Sequence, residues 1–557
     1  MPTPGRVWSF PDWMTAIAGP TGQQENAGRD WNSAAPVAEL LHENGNARHP
    51  NQDLLMRGLG MRWGITLALF CGAWACFTPA SGIARAADWL SPRADGQRTG
   101  WQPKERQVNP KTVKGLRLLW KQRLDEGAVS SPLLLGPVIT HRGIKELVFV
   151  ASASGHVIAV DADLGTVFWR RQLPVQALGA EGKASCPSAP PMPPVILSST
   201  VAALPDEAAN PSAAEALAIN DDDDFSDGNQ PLLVLTPDGR LHGLRVTNGD
   251  DALAARAFTD PGPRFATGFG TALYAGTSKD CSELPTMLSA LRVEAPGITG
   301  AKPEETAPAE GSGFNGLAIG LKDTLYASVE TNSKAKDMAL ALDAETLRLK
   351  DGLQIPAGVR GEARGDEFLD SSMTVFPWHD SEVTALVGPG GQLVLWTHGK
   401  AAPSETEFLG GFGGGDKAEK WFANGGLTTW TDTSRERWVA AIAKEDPGSD
   451  SGRRRVLGFR VVEKNAHASL ELAWRSDVFT RPTAPVVAAG VLYLISQNSQ
   501  GTAQLTALEA KTGATLFSTS EGIESKSVAA ALAFANGHLC FSGNDGLLYC
   551  FGLPIDI

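Results

Sequence analysis

The chain has 557 residues, of which 42% are apolar and 20% charged, so it can bury a large core, and neither global disorder nor a multi-span membrane protein fits. A net charge of −13 argues against a nucleic-acid partner, because an acidic surface repels phosphate and gains nothing from counterion release. Sixty Gly and 36 Pro exceed average usage and suit many turns between short strands, which favours one large repetitive all-β unit.

Residues 1–60 are rich in Asn, Gly, Pro and Gln and show no periodic apolar face, which is expected of a disordered extension or of a start codon assigned too early. Residues 61–86 have the layout of a secretory signal. Arg62 is the positive residue, Gly64 to Phe77 the apolar stretch, and Ala84-Arg85-Ala86 the small-residue ending. The stretch is shorter than the roughly 20 residues of a bilayer span, and neither Cys71 nor Cys76 closes a good lipobox, so cleavage after Ala86 is expected. That predicts a periplasmic or extracellular protein, with residues 87–557 as a single domain and no stable membrane span.

From residue 87 onward the chain repeats itself. VFVASASGHVIAV (148–160), LLVLTPDGRLHGL (232–244), TALVGPGGQLVLW (384–396) and LCFSGNDGLLYCF (539–551) each read as a β-hairpin. Their turns end in Gly155, Gly239, Gly391 and Gly546. Degenerate copies of the first strand start at Ala272, Thr324, Trp438 and Val491, giving starts roughly 40 to 84 residues apart, a spacing that suits four-stranded propeller blades with loop insertions. Ser130-Ser131-Pro132, Ser188-Ala189-Pro190 and Thr483-Ala484-Pro485 introduce apolar runs that read as innermost strands.

Ala159 to Trp169 (AVDADLGTVFW) is echoed by Ala507 to Phe517 (ALEAKTGATLF) and weakly by Ala341 to Thr346. This spacing resembles the tryptophan-docking repeat of the quinoprotein alcohol dehydrogenase-like, or PQQ-repeat, propellers. The opening from Asp88-Trp89 through Arg98-Thr99-Gly100 to Leu116–Trp120 is similar to that of exported members. The resemblance implies an eight-bladed β-propeller of four-stranded antiparallel blades, with seven blades as the alternative. It also implies that Trp169 and Phe517 dock on neighbouring blades. The strand Leu116 to Trp120 is placed to complete the blade that ends at Phe551, which removes a free sheet edge.

The resemblance also raises pyrroloquinoline quinone (PQQ) with calcium as a cofactor, and with it a dehydrogenase acting on alcohols or sugars. The chain lacks the adjacent cysteine pair usual beside that cofactor, and no local motif places calcium ligands or a catalytic base. No residue is assigned to catalysis, to a cofactor or to a metal, and the reading leans away from an enzyme. The acidic run Asn220 to Gly228 fails the EF-hand register, Gly410 to Lys417 departs from a phosphate loop, and Pro377 to Glu382 reads as a connector. Cys186 and Cys281 are a candidate disulfide in loop-like surroundings. Cys540 and Cys550 are directly opposed if their hairpin loop has three residues, and lie on opposite faces if it has two; buried free thiols are expected there. The expected role is a scaffold for an envelope protein or a small ligand, bound at the channel mouth or at insertions such as 202–230 and 297–311. The alternatives are the dehydrogenase and a propeller similar to the outer-membrane assembly factor.

Overall fold

Every strand start inferred from the repeat is a strand in the computed structural model. It describes residues 88–124, 127, 129–175, 191–197, 230–259, 262–277, 288–293, 313–321, 323–330, 338–355, 372–388, 391–398, 405–409, 421–444, 452–528 and 531–554. All of them belong to one compact unit. Both proposed N-terminal segments, the insertions, the acidic and glycine-rich runs and the Cys186/Cys281 pair lie outside these residues, apart from Gln230 at the edge of one insertion.

The described residues are all-β apart from one short 3-10 turn, Val113–Gly115. They form antiparallel up-and-down meanders. The first comprises Leu133–Thr140, Gly143–Ala151, His156–Asp161 and Val167–Gln172. Further meanders follow over 195–257, 263–292 (three strands among the described residues), 313–354 and 373–409. Two more, 428–475 and 486–519, are stitched together by the short strand Phe479–Thr480, which pairs with both. The last is made of Ala533–Ala535, His538–Ser542 and Leu547–Gly552, and its fourth strand is Arg117–Arg123 from the other end of the chain. Leu118 pairs with Phe551 and Arg123 with Leu547, so the two chain ends close one sheet as the sequence suggested.

All eight inferred starts fall in the second strand of a meander, and the proline-led runs Leu133–Thr140, Val195–Ile196 and Val486–Ala488 are first strands. Asn544, Asp545 and Gly546 form a three-residue loop, so Cys540 and Cys550 face each other with Cα atoms 4.1 Å apart, and they are joined by a disulfide where buried free thiols were expected, because direct opposition brings the two sulfurs together. Pro377 and Trp378 belong to a strand, and His379 and Asp380 form its tight hairpin turn, a narrower feature than the connector expected.

Strand residues alternate between two sheet faces, and both faces of each meander are buried. Leu147 and Phe149 pack toward the second meander, whereas Val148 and Val150 join a cluster shared with the last meander and, beyond it, the seventh. Similar clusters join the second meander to the third, the third to the fourth, the fourth to the fifth, the fifth to the sixth and the sixth to the seventh. The set returns to the first meander through Phe534, Phe541 and Phe551. No sheet buries its apolar faces alone, so each depends on two neighbours, and the architecture is that of a β-propeller.

Candidate functional site

The axis on which the first strands converge is occupied by the chain's own segment 89–102, WLSPRADGQRTGWQ. Inner strands leave backbone donors and acceptors facing the axis, and these need partners once water is excluded. The segment supplies them one meander at a time. Trp89 exchanges backbone hydrogen bonds with Leu134 of the first meander at 2.8 and 3.1 Å, and Ile196 of the second donates to Leu90 O at 2.8 Å. Gly96 packs closely on the third, where a Cβ would come within 3.2 Å of Gly268 O. Ile319, Val375 and Thr429 of the fourth, fifth and sixth donate to the carbonyls of Gly96, Gln97 and Thr99 at 2.7, 3.0 and 2.9 Å. Trp101–Gln102 then runs parallel to Val487–Ala488 of the seventh, and Gln102 Nε2 reaches Phe534 O of the last at 3.5 Å.

The segment is buried and polar. Trp89, Ser91, Arg93, Gln97, Arg98, Thr99 and Gln102 are each at most 5% exposed. Arg93 Nη2 donates to Leu427 O at 2.6 Å. Asp95 accepts from Thr99 N at 2.9 Å and Thr99 Oγ1 at 2.5 Å, yet burial dominates and pushes its carboxyl up to about 6. Burial likewise raises Asp88, whose carboxylate accepts the Gly136 N–H at 2.6 Å.

A second cluster lies at the seam between the first and last meanders. Glu146 stands on Gly143–Ala151, Asp163 on the turn after His156–Asp161, and His538 at the start of its strand. Glu146 Oε2 is 3.3 Å from His538 Nδ1, and Asp163 Oδ1 is 3.6 Å from His538 Nε2. Among the described residues it is the one group of three side chains placed to share a metal ion. The sequence held no signal for it, because His538 lies far along the chain from both carboxylates. Glu382, placed in a connector from the sequence, is instead a buried strand residue that accepts from Tyr326 Oη at 2.6 Å and Leu321 N at 2.7 Å, tying the fourth meander to the fifth.

The residues singled out from sequence fall as follows. Gly155, Gly239, Gly391 and Gly546 sit in hairpin turns with φ of 87°, 79°, 75° and 74°. The Trp169 indole N–H donates to Val246 O at 2.8 Å, and its ring covers Gly249 of the second meander. Trp120 repeats this on Ala162 O at 2.6 Å and Gly165, and Trp474 covers Gly513. Phe517 is half-buried against the cluster joining the seventh, last and first meanders and has no N–H to donate. In the weak third copy Leu347 stands at the glycine position with φ 54°, and Tyr274 Oη takes the docking bond to Ala344 O at 2.7 Å.

Residues 114–255 match the family model described as outer membrane protein assembly factor BamB, a PQQ-repeat family. The fold is that of a β-propeller, and the PQQ-repeat match is confined to residues 114–255 of it. This propeller is similar to the quinohemoprotein alcohol dehydrogenase of Comamonas testosteroni, at 14% identity over 85% of this chain and 81% of that one, with a TM-score of 0.52. It is also similar to quinohemoprotein alcohol dehydrogenase ADHIIG of Pseudomonas putida HK5, at 11% identity over 84% and 80%, with a TM-score of 0.50. At such identities the likeness concerns the fold alone. BamB of Moraxella catarrhalis aligns over 78% of this chain and 97% of its own at 15% identity, with a TM-score of 0.32 that adds nothing to the fold argument. No curated protein matches the propeller by sequence. No helix among the described residues is long and apolar enough to cross a membrane.

Proposed function

We propose that this PQQ-repeat propeller is an exported, rigid scaffold that binds a protein partner in the cell envelope through its outer loops and blade edges. One observation carries the reading: residues 89–102 hydrogen-bond in turn to the first strands of successive meanders, engaging inner-strand groups that a ligand on the axis would otherwise use, which favours a partner on the outer loops. The family model's description as an assembly factor supports a protein partner, and the signal-like residues 61–86 support export. The Cys540–Cys550 disulfide agrees with maturation in an oxidising compartment.

PQQ with calcium is the alternative reading, and nothing among the described residues favours it. Calcium calls for six to eight oxygen ligands. On the axis the buried carboxylate of Asp95 is engaged by Thr99, and the one three-ligand group contains an imidazole. The test uses the mature chain purified from the exported fraction. N-terminal sequencing should begin at Ala87, PQQ plus calcium should give no stoichiometric chromophore and no dye reduction with alcohols or aldose sugars, and cross-linking in intact envelopes should capture a protein. Turnover with the quinone would replace this reading with a PQQ-dependent oxidoreductase. An absence of cross-linked protein would remove the scaffold.

A further inference from the structure

We propose that Glu146, Asp163 and His538 form a divalent transition-metal site, suited first to zinc, that staples the first meander to the last. The donor set is one imidazole nitrogen and two carboxylate oxygens, all within 4.8 Å of one another. Zinc takes such ligands at about 2.0–2.2 Å in a tetrahedron, whose edges are then roughly 3.4 Å. The Glu146 Oε2 to His538 Nδ1 separation of 3.3 Å is such an edge. His538 Nδ1 is shielded from solvent and makes no hydrogen bond, although that oxygen is so near. A nitrogen and an oxygen this close but not aligned for a proton between them are placed for a third atom that both can face.

The supports of the three ligands are set by the fold. Ala162 N donates to Glu146 O at 2.8 Å, which fixes the turn carrying Asp163 beside the strand carrying Glu146. Asp161 Oδ1 accepts from Asp163 N and Leu164 N, each at 3.1 Å, and holds that turn in shape, while Lys145 Nζ neutralises Asp161 at 2.8 Å. His538 leaves the tight Asn536-Gly537 turn, which Glu105 Oε2 anchors by accepting Gly537 N at 2.8 Å. The His538 side chain is 12% exposed and that of Asp163 50%, so the site opens to solvent on the Asp163 side. Asp163 Oδ1 lies 3.6 Å from the other ring nitrogen, Nε2, so an ion held at Nδ1 requires the half-exposed Asp163 side chain to turn toward Glu146, with water as the remaining ligand. Three mixed nitrogen and oxygen donors with one open position suit zinc, whereas calcium or magnesium would be poorly served by the imidazole.

Such a staple adds to the strand pairing of Arg117–Arg123 at the point where the ring must close. The test is calorimetric titration of the EDTA-treated full chain with zinc chloride, with thermal midpoints measured with and without the ion. One ion per chain is expected to bind at the strongest site and to raise the midpoint. Asp163→Asn, at a half-exposed position, and His538→Ala should each weaken that site at least about tenfold and abolish the rise in midpoint. Circular dichroism of both variants without metal should match the parent. Zinc binding unchanged by either variant would overturn the site, as would an equal stabilisation by calcium. A midpoint drop in His538→Ala of the same size with and without zinc would leave an imidazolium ion pair in its place.

Discussion

Docking of Trp169 on Gly249 predicts a measurable energetic coupling between two meanders. Gly249 has φ +76°, and a Cβ there would lie 2.7 Å from Trp169 Cε3. In Gly249→Ala the left-handed backbone costs about 1–2 kcal/mol. Forcing a methyl group against the ring adds about 1–3 kcal/mol, for a total of about 2–5 kcal/mol. Trp169→Ala alone should cost about 3–5 kcal/mol, since the ring is buried and Val246 O loses its donor. With the ring gone the methyl meets no clash, so Gly249→Ala in the Trp169→Ala background should cost only the backbone share of about 1–2 kcal/mol. The cycle should therefore show a coupling of about 1–3 kcal/mol. Urea unfolding of the four proteins followed by far-UV circular dichroism measures it without relying on the deleted fluorophore. Strict additivity with unchanged m values would refute the docking argument.

Three further outcomes follow from the described geometry. Asp95 is raised from its ordinary 3.8 to about 6, so its contribution to stability is full below the lower value and is lost as pH rises through the upper one. The loss is at most about 3 kcal/mol, and Asp95→Asn should flatten urea midpoints between pH 4 and pH 6; an equally steep slope in the variant would contradict the burial of that carboxyl. Hydrogen exchange should find the amides of Leu134, Ile196, Ile319, Val375, Thr429 and Val487 protected, and removal of residues 88–102 should expose them together. Selective exchange at one or two of these sites alone would deny that the segment follows the whole ring. Reduction of Cys540–Cys550, or the double serine variant, opens a short closed loop and should cost about 3 kcal/mol, checked by intact mass and urea midpoint.

What was legible in the sequence is whatever repeats locally. Hairpin turn glycines, alternating apolar strands and the interval from Ala159 to Trp169 are short-range patterns, because a strand and its turn must be written in adjacent residues. Ring closure could also be inferred, since a cyclic array of sheets has to pair its first strand with its last. The choice between opposed and staggered cysteines rested on one residue of loop length, which the register Cys540 with Cys550 decided. Phe517 shared the spacing of Trp169 but lacks the indole donor, so an identical interval gives a packing contact without the hydrogen bond.

Tertiary structure alone decided where function can reside. Residues 88–102 contain no periodic signal, and their path along the axis is set by inner-strand backbone groups as distant in sequence as Leu134 and Val487. Glu146 and Asp163 meet His538 only because ring closure brings the first meander against the last. Local pattern encodes the blades. The contents of the axis and the seam come from contacts across the circle, which leave no mark on neighbouring residues.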